Sequence, residues 1–191
     1  MRLALFASGS GSNVQAIIDA VQAGKLNVEL VALFCDQAGA RVIERAEQAG
    51  IDTLVLAPQD CPSRQAWEEA IVAFLKERKV ELIVLAGFMR ILGEPLLEAY
   101  PEAIVNIHPS LLPAFPGRQG IQDAYEAGVA ETGVTIHWVD AGIDTGEIIV
   151  QEKVRIEADW SLDDLAQAIH QVEHRLYPAT LQEIIEERRE D

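Results

Sequence analysis

Two polar side chains, Asn106 and His108, close the apolar run "AIVNIH", and a carboxylate, Asp144, stands in the glycine-flanked stretch "AGIDTG". Residues i and i+2 of a strand face the same side, so the amide and the imidazole are expected to share a face. Glycines let a loop turn sharply and carry Asp144 back toward His108. A carboxylate beside an imidazole favours the charged ring, the usual arrangement of a group that moves protons. The amide of Asn106 offers neutral N–H donors to a carbonyl oxygen gaining charge. No G-x-S-x-G elbow occurs, and Cys61 lies far away at a helix start. Direct transfer between two bound substrates therefore fits better than a covalent enzyme intermediate. A plainer alternative stays open: a strand-end cap, a satisfied turn and an Asx-turn.

A second constellation is "SGSGSN", residues 8–13, between the first apolar run and the first helical one. Glycines let successive backbone N–H groups converge, and a helix start adds unpaired donors. One phosphate suits such a site. The stretch is not G-x-G-x-x-G, because position 14 is Val14, and no lysine follows to make a P-loop. A tight turn capped by Ser12 or Asn13 is the alternative.

"HQVEH", residues 170–174, matches the H-x-x-E-H zinc pattern, but no third ligand is evident and no metal is expected. The other reading turns Glu173 toward the cleft, where its carboxylate accepts from ribose hydroxyls. His137, inside the alternating "VTIHWV", reads as a satisfied sheet residue.

Short apolar runs alternate with helical patterns to about residue 108. The strands are expected in "LALFA", "VELVALFCD", "DTLVLAP", "VELIVLAGF" and "AIVNIH". The helices are expected in "VQAIIDAVQAG", "ARVIERAEQAG" and a long one opened by Pro62 and reaching about Arg78. This alternation predicts an α/β fold, doubly wound, with a mostly parallel sheet and helices on both faces. "VTIHWV" and "EIIVQEKVRI" alternate polar with apolar and predict a C-terminal antiparallel strand pair. Ser161 and Asp164 form a capping box for a last helix that breaks at "YP", 177–178, and resumes. Residues 113–131 read as the most mobile loop.

The 191 residues suit one domain. It divides into a phosphate-binding half, 1–100, and a catalytic, cleft-closing half, 101–191. The net charge of −16 argues against nucleic-acid or acidic-membrane partners. Two cysteines make no disulfide framework, and no stretch approaches ~18 apolar residues, so a cytoplasmic location is expected.

The stretches "ASGSGSNVQAIIDA", "LAGFMRIL", "NIHPSLLPAFPG", "GVTIHWVDAGIDTG" and "VEHRLYP" together resemble the phosphoribosylglycinamide formyltransferases, folate-dependent enzymes of purine synthesis. The resemblance implies the formyltransferase fold and two small-molecule substrates, glycinamide ribonucleotide and 10-formyltetrahydrofolate, with a monomer or homodimer as assembly. It implies that Gly11, Ser12 and Asn13 hold the phosphate and that Glu173 contacts the ribose. Met89, Arg90, Ile91, Leu92 and Asn106 would line the folate cleft, with Arg64 and Arg90 near the glutamate tail. Asn106, His108 and Asp144 would be the catalytic trio. The segment "RQGIQDAYEAG" varies in the family, so its closure over the folate is left open. Formylfolate hydrolysis and a binding module without turnover remain as other readings.

Overall fold

A computed structural model describes residues 1–191. The apolar runs fold into strands β1 (Arg2–Ala7), β2 (Glu29–Cys35), β3 (Thr53–Val55), β4 (Leu82–Leu85) and β5 (Ile104–His108). The alternating C-terminal runs form β6 (Glu131–Trp138) and β7 (Ile148–Arg155). All seven join one sheet in the order β3-β2-β1-β4-β5-β6-β7. The first five are parallel, while β6 and β7 run antiparallel to their neighbours. The expected fold class is thus observed.

Five α-helices connect the strands, α1 (Ser12–Gln22), α2 (Arg41–Gln48), α3 (Arg64–Glu77), α4 (Glu94–Ala99) and α5 (Gly120–Glu126), and α6 (Leu162–Glu190) follows β7. In β1, Leu3, Ala4, Leu5 and Phe6 are fully buried in succession, and β4 is buried at every residue. Consecutive side chains point to opposite faces, so both faces of the sheet centre are covered. Phe6, Phe34, Phe88 and Trp67 pack edge-on or tilted at centroid distances of 5.1–5.9 Å. This aromatic cluster underlies the C-terminal ends of β1 and β2. No helix is long and apolar enough to cross a membrane.

Three details differ from the sequence-based expectation. The third helix begins at Arg64, not Pro62, because Ser63 caps it by accepting from Ala66 N. The region 113–131 contains α5, so it is partly helical. The last helix does not break at Tyr177–Pro178 but runs 29 residues through the proline. Proline there removes the N–H that would reach the His174 carbonyl, a loss of about 3 kcal/mol or more in an isolated helix. Burial of Glu173, Tyr177, Pro178, Leu181, Ile184 and Ile185 keeps the helix continuous through that defect. The capping box of Ser161 and Asp164 forms as expected.

The same helix carries a polar anchor. The fully buried Tyr177 hydroxyl donates to Leu85 O at 2.8 Å and lies 3.2 Å from Val105 O. These carbonyls lie on neighbouring strands, at the end of β4 and within β5. Burial pushes the phenol well above its ordinary range, so it remains a donor. Tyr177→Phe is expected to lower unfolding stability by roughly 1–3 kcal/mol by stranding a buried acceptor. Urea denaturation should show the midpoint falling with an unchanged slope.

Candidate active site

The C-terminal ends of β1, β4 and β5 open into a cavity of about 610 Å³. That is the edge at which open α/β sheets bind ligands. Gly11, Ser12, Asn13, Met89, Arg90, Ile91, Leu92, Asn106, His108, Asp144 and Glu173 all line it. Of the residues that the resemblance assigns to the site, Arg64 alone stays outside. A larger recess of about 960 Å³ lies between α1 and α6, touches Ser12 and contains none of the catalytic candidates.

The glycine loop is shaped by packing as well as by turning. Gly11 has φ 75°, and a Cβ there would collide with Val42 of α2. Arg45 Nε donates to Ser10 O at 2.7 Å and fixes the loop from outside. No side chain caps α1. Its first backbone donors and the positive end of its dipole therefore face the cavity free of a protein acceptor. Asn13, instead of capping, donates from Nδ2 to Glu173 Oε2 at 2.6 Å. Glu173, 5% exposed, thus ties α6 to the glycine loop.

His108 ends β5 with its ring 4% exposed. Nε2 lies 2.8 Å from Phe115 O and so carries a proton, because a carbonyl only accepts. Nδ1 faces Asp144 Oδ2 at 3.6 Å, beyond hydrogen-bond reach. The ring is thus anchored on one nitrogen, with the other turned to the carboxylate. Gly120 sits so close that a Cβ there would press on Nε2.

Asp144 is held by its own loop. It adopts φ 52°, a left-handed conformation that Asp tolerates better than most residues. Asp140 Oδ1 accepts from Thr145 Oγ1 at 2.7 Å and Gly142 N at 2.9 Å, which also lowers the Asp140 pKa. A Cβ at Gly146 would strike the Trp138 carbonyl. In this frame Asp144 Oδ2 accepts from Gly117 N at 3.0 Å, and Oδ1 lies 3.7 Å from His137 Nε2.

His137 is the residue that sequence reasoning placed in the sheet and not in the site. Strand pairing sets it opposite Asn106. Its Nδ1 donates to Trp138 O at 2.9 Å, so in the neutral ring Nε2 is an acceptor. Asn106 Nδ2 lies 3.3 Å from that nitrogen, which directs the Asn106 NH2 toward His137. The signal was present: Val134 and Ile136 alternate with Thr135 and His137, and register puts the second pair beside His108 and Asn106.

The two arginines are already engaged. Arg90 Nε meets Asp36 Oδ2 at 2.6 Å. Arg64 donates to Ile91 O, and its Nε lies 3.5 Å from Glu68 Oε2. Arg118, which also lines the cavity and is exposed, makes no ion pair and no hydrogen bond in the structure. It was not singled out in the sequence.

At 170–174, His170 Nδ1 lies 3.2 Å from Glu173 Oε1, and the rings of His170 and His174 stack at 6.2 Å. No three His, Cys, Asp or Glu side chains group to hold a metal. Glu173 is committed to Asn13 and His170. Burial lowers the His174 pKa, and its Nε2 has no partner.

Residues 1–181 match the formyl transferase family. A phosphoribosylglycinamide formyltransferase of Bacillus subtilis (strain 168) is 43% identical over 184 residues, 96% of this chain and 94% of the relative. A trifunctional purine biosynthetic protein adenosine-3 of Drosophila melanogaster is 44% identical over 182 residues, 94% of this chain but 14% of that longer protein. The crystal structure of phosphoribosylglycinamide formyltransferase from Bacillus halodurans matches with a TM-score of 0.95 and 51% identity, covering 97% of this chain and 95% of that one.

The Glu173 hydrogen bond raises the His170 pKa against the opposing effect of burial. A raised folded-state pKa means that the pair's stabilisation is full below the ordinary value of about 6.5 and is lost as pH rises through the folded value. NMR titration should place His170 above an unperturbed histidine. In Glu173→Gln its midpoint should fall, and the pH dependence of stability across that window should flatten.

Proposed function

We propose that this chain, which belongs to the formyl transferase family, moves a formyl group from 10-formyltetrahydrofolate to the amine of phosphoribosylglycinamide in purine synthesis. The observation that carries the reading is one cavity joining an uncapped glycine-loop helix start to the Asn106–His108–Asp144 cluster. The near-full-length similarity to the Bacillus subtilis enzyme supports the substrate assignment.

In this reading the nucleotide phosphate sits on the backbone donors of Gly11, Ser12 and Asn13, and Glu173 meets the ribose. The half 1–100 thus grips the nucleotide and the half 101–191 supplies the reacting groups, with Glu173 bridging the two. The folate lies along 89–92. Met89 and Ile91 suit that face, because both are about half exposed and offer apolar surface to a ring. With Arg64 and Arg90 engaged inside the protein, Arg118 is the cation most available to a carboxylate tail.

The chemistry follows from what each group can do. The nucleotide amine attacks the formyl carbon, and the carbonyl electrons move onto oxygen. Asn106, oriented by His137, donates to that oxygen. His108 is anchored through Nε2, so Nδ1 is the nitrogen that presents a proton to the reacting centre. Asp144 stands beside Nδ1 as the counter-ion of a charged ring. Collapse breaks the bond from carbon to the folate nitrogen, which takes a proton as the amine loses one. The products are formylglycinamide ribonucleotide and tetrahydrofolate.

The direct test mixes purified protein with both substrates and follows the formylated nucleotide by mass. Formate released equally without the nucleotide would mark hydrolysis and overturn the reading. Asp144→Asn keeps the loop's shape but removes the counter-charge, so kcat should fall about 100-fold. The nucleotide KM should stay within about twofold, since the phosphate loop is untouched. Near-wild-type turnover in that variant would refute the role of Asp144.

A further inference from the structure

The segment 87–93 forms one wall of the cavity, and its shape is not set by packing alone. Phe88 and Leu92 are buried, but Met89 and Ile91 stand 50% and 52% exposed. Polar contacts from elsewhere in the chain fix the backbone around these two. Met89 N donates to Ser8 Oγ at 3.0 Å, and Gly93 N donates to Glu68 Oε1 at 2.8 Å. Arg90 Nε donates to Asp36 Oδ2 at 2.6 Å, and Arg64 donates to the Ile91 carbonyl.

Two of these anchors are carboxylates almost out of water. Asp36 is 2% exposed and Glu68 is 1% exposed. Burying a carboxylate is costly, and a buried ion pair is often no more stable than apolar residues of similar size. Asp36 is an extreme case, because its Oδ1 has no hydrogen-bond partner at all. Stability therefore does not account for the two acids. Neither lines the cavity. What they share is the segment they hold: Asp36 reaches it from the end of β2 and Glu68 from α3. Gly93 allows the close approach, since a Cβ there would run into the Glu68 carboxylate.

We infer that Asp36 and Glu68 are positioning residues for the formylfolate, acting through Arg90 and Gly93 to hold the 89–92 wall in its ligand-ready shape at a cost in stability. The inference rests on the formyl-transfer reading for the identity of the ligand. The wall then meets the folate already ordered, so binding loses less conformational freedom. The nucleotide side, on α1 and α6, is supported by different contacts and should be indifferent to both acids.

Asp36→Asn, Glu68→Gln and Glu68→Ala test this by steady-state kinetics on the intact chain with both substrates varied. In Asp36→Asn the KM for 10-formyltetrahydrofolate should rise about tenfold, while kcat and the nucleotide KM stay within about twofold. Glu68→Gln keeps an acceptor for Gly93 N–H and should stay near wild type, whereas Glu68→Ala should lose formylfolate affinity. Amide exchange at Met89–Gly93 should quicken in Asp36→Asn with β1 unchanged. An unmoved formylfolate KM in folded Asp36→Asn overturns the inference, as does a parallel rise in both KM values. So does Glu68→Gln behaving like a folded Glu68→Ala. If Glu68→Ala does not fold, Asp36→Asn and the exchange measurement decide. If wild type makes no formylated nucleotide, the functional reading has failed by itself. Direct titration with 10-formyltetrahydrofolate then judges the wall on affinity alone.

Discussion

The carboxylate of Asp144 lies 3.6 Å from His108 Nδ1, 3.7 Å from His137 Nε2 and 3.0 Å from Gly117 N. These three neighbours come from β5, β6 and the loop before α5, which share no local structure. One acid therefore stands between the His108 ring, the histidine that aims Asn106, and the rim of the cleft. Its position is specified on both sides. The Asp140 hydrogen bonds close the loop upstream, and Gly146 lets the chain pass under the Trp138 carbonyl downstream. Asp144 itself sits in a left-handed conformation that costs an ordinary residue of order 1–3 kcal/mol. That strain is tolerable because the surrounding contacts over-determine it.

How much of this was legible in the sequence depended on range. The parallel core was visible because β1 and β4 are continuous apolar runs, and the turn to antiparallel pairing was visible because β6 and β7 alternate. Asn106 and His108 could be placed on one face from spacing alone. The path of α6 through Pro178 could not, since what carries it is a buried face set by tertiary packing. Tyr177 is the clearest instance: its hydroxyl meets carbonyls 92 and 72 residues away. His137 was hidden for a related reason, because its role exists only once β6 is registered against β5. The short helices α4 and α5 have six and seven residues, too few for periodicity to show.

Charge works differently at the two scales. The whole chain carries −16, a field that repels anions at a distance. At the site, that field is met by oriented backbone dipoles and a few placed cations. Arg90 is neutralised by Asp36 and Arg64 leans on Glu68, so their contribution is to shape the wall more than to attract. The uncapped start of α1 supplies donors with no charged side chain at all. Donors of this kind are set by backbone geometry and do not depend on how acidic the remaining surface is.

The spacing along α6 has its own consequence. Glu173 grips the glycine loop, and one turn later Tyr177 holds the end of β4 and the adjoining backbone of β5. Each residue of an α-helix advances about 100°, so adding or deleting one between these positions would swing one grip off its target. The four-residue interval is thus a mechanical gauge. Sequence drift can change the side chains between the two grips, but a change of length there would uncouple the glycine loop from the strands that floor the cavity.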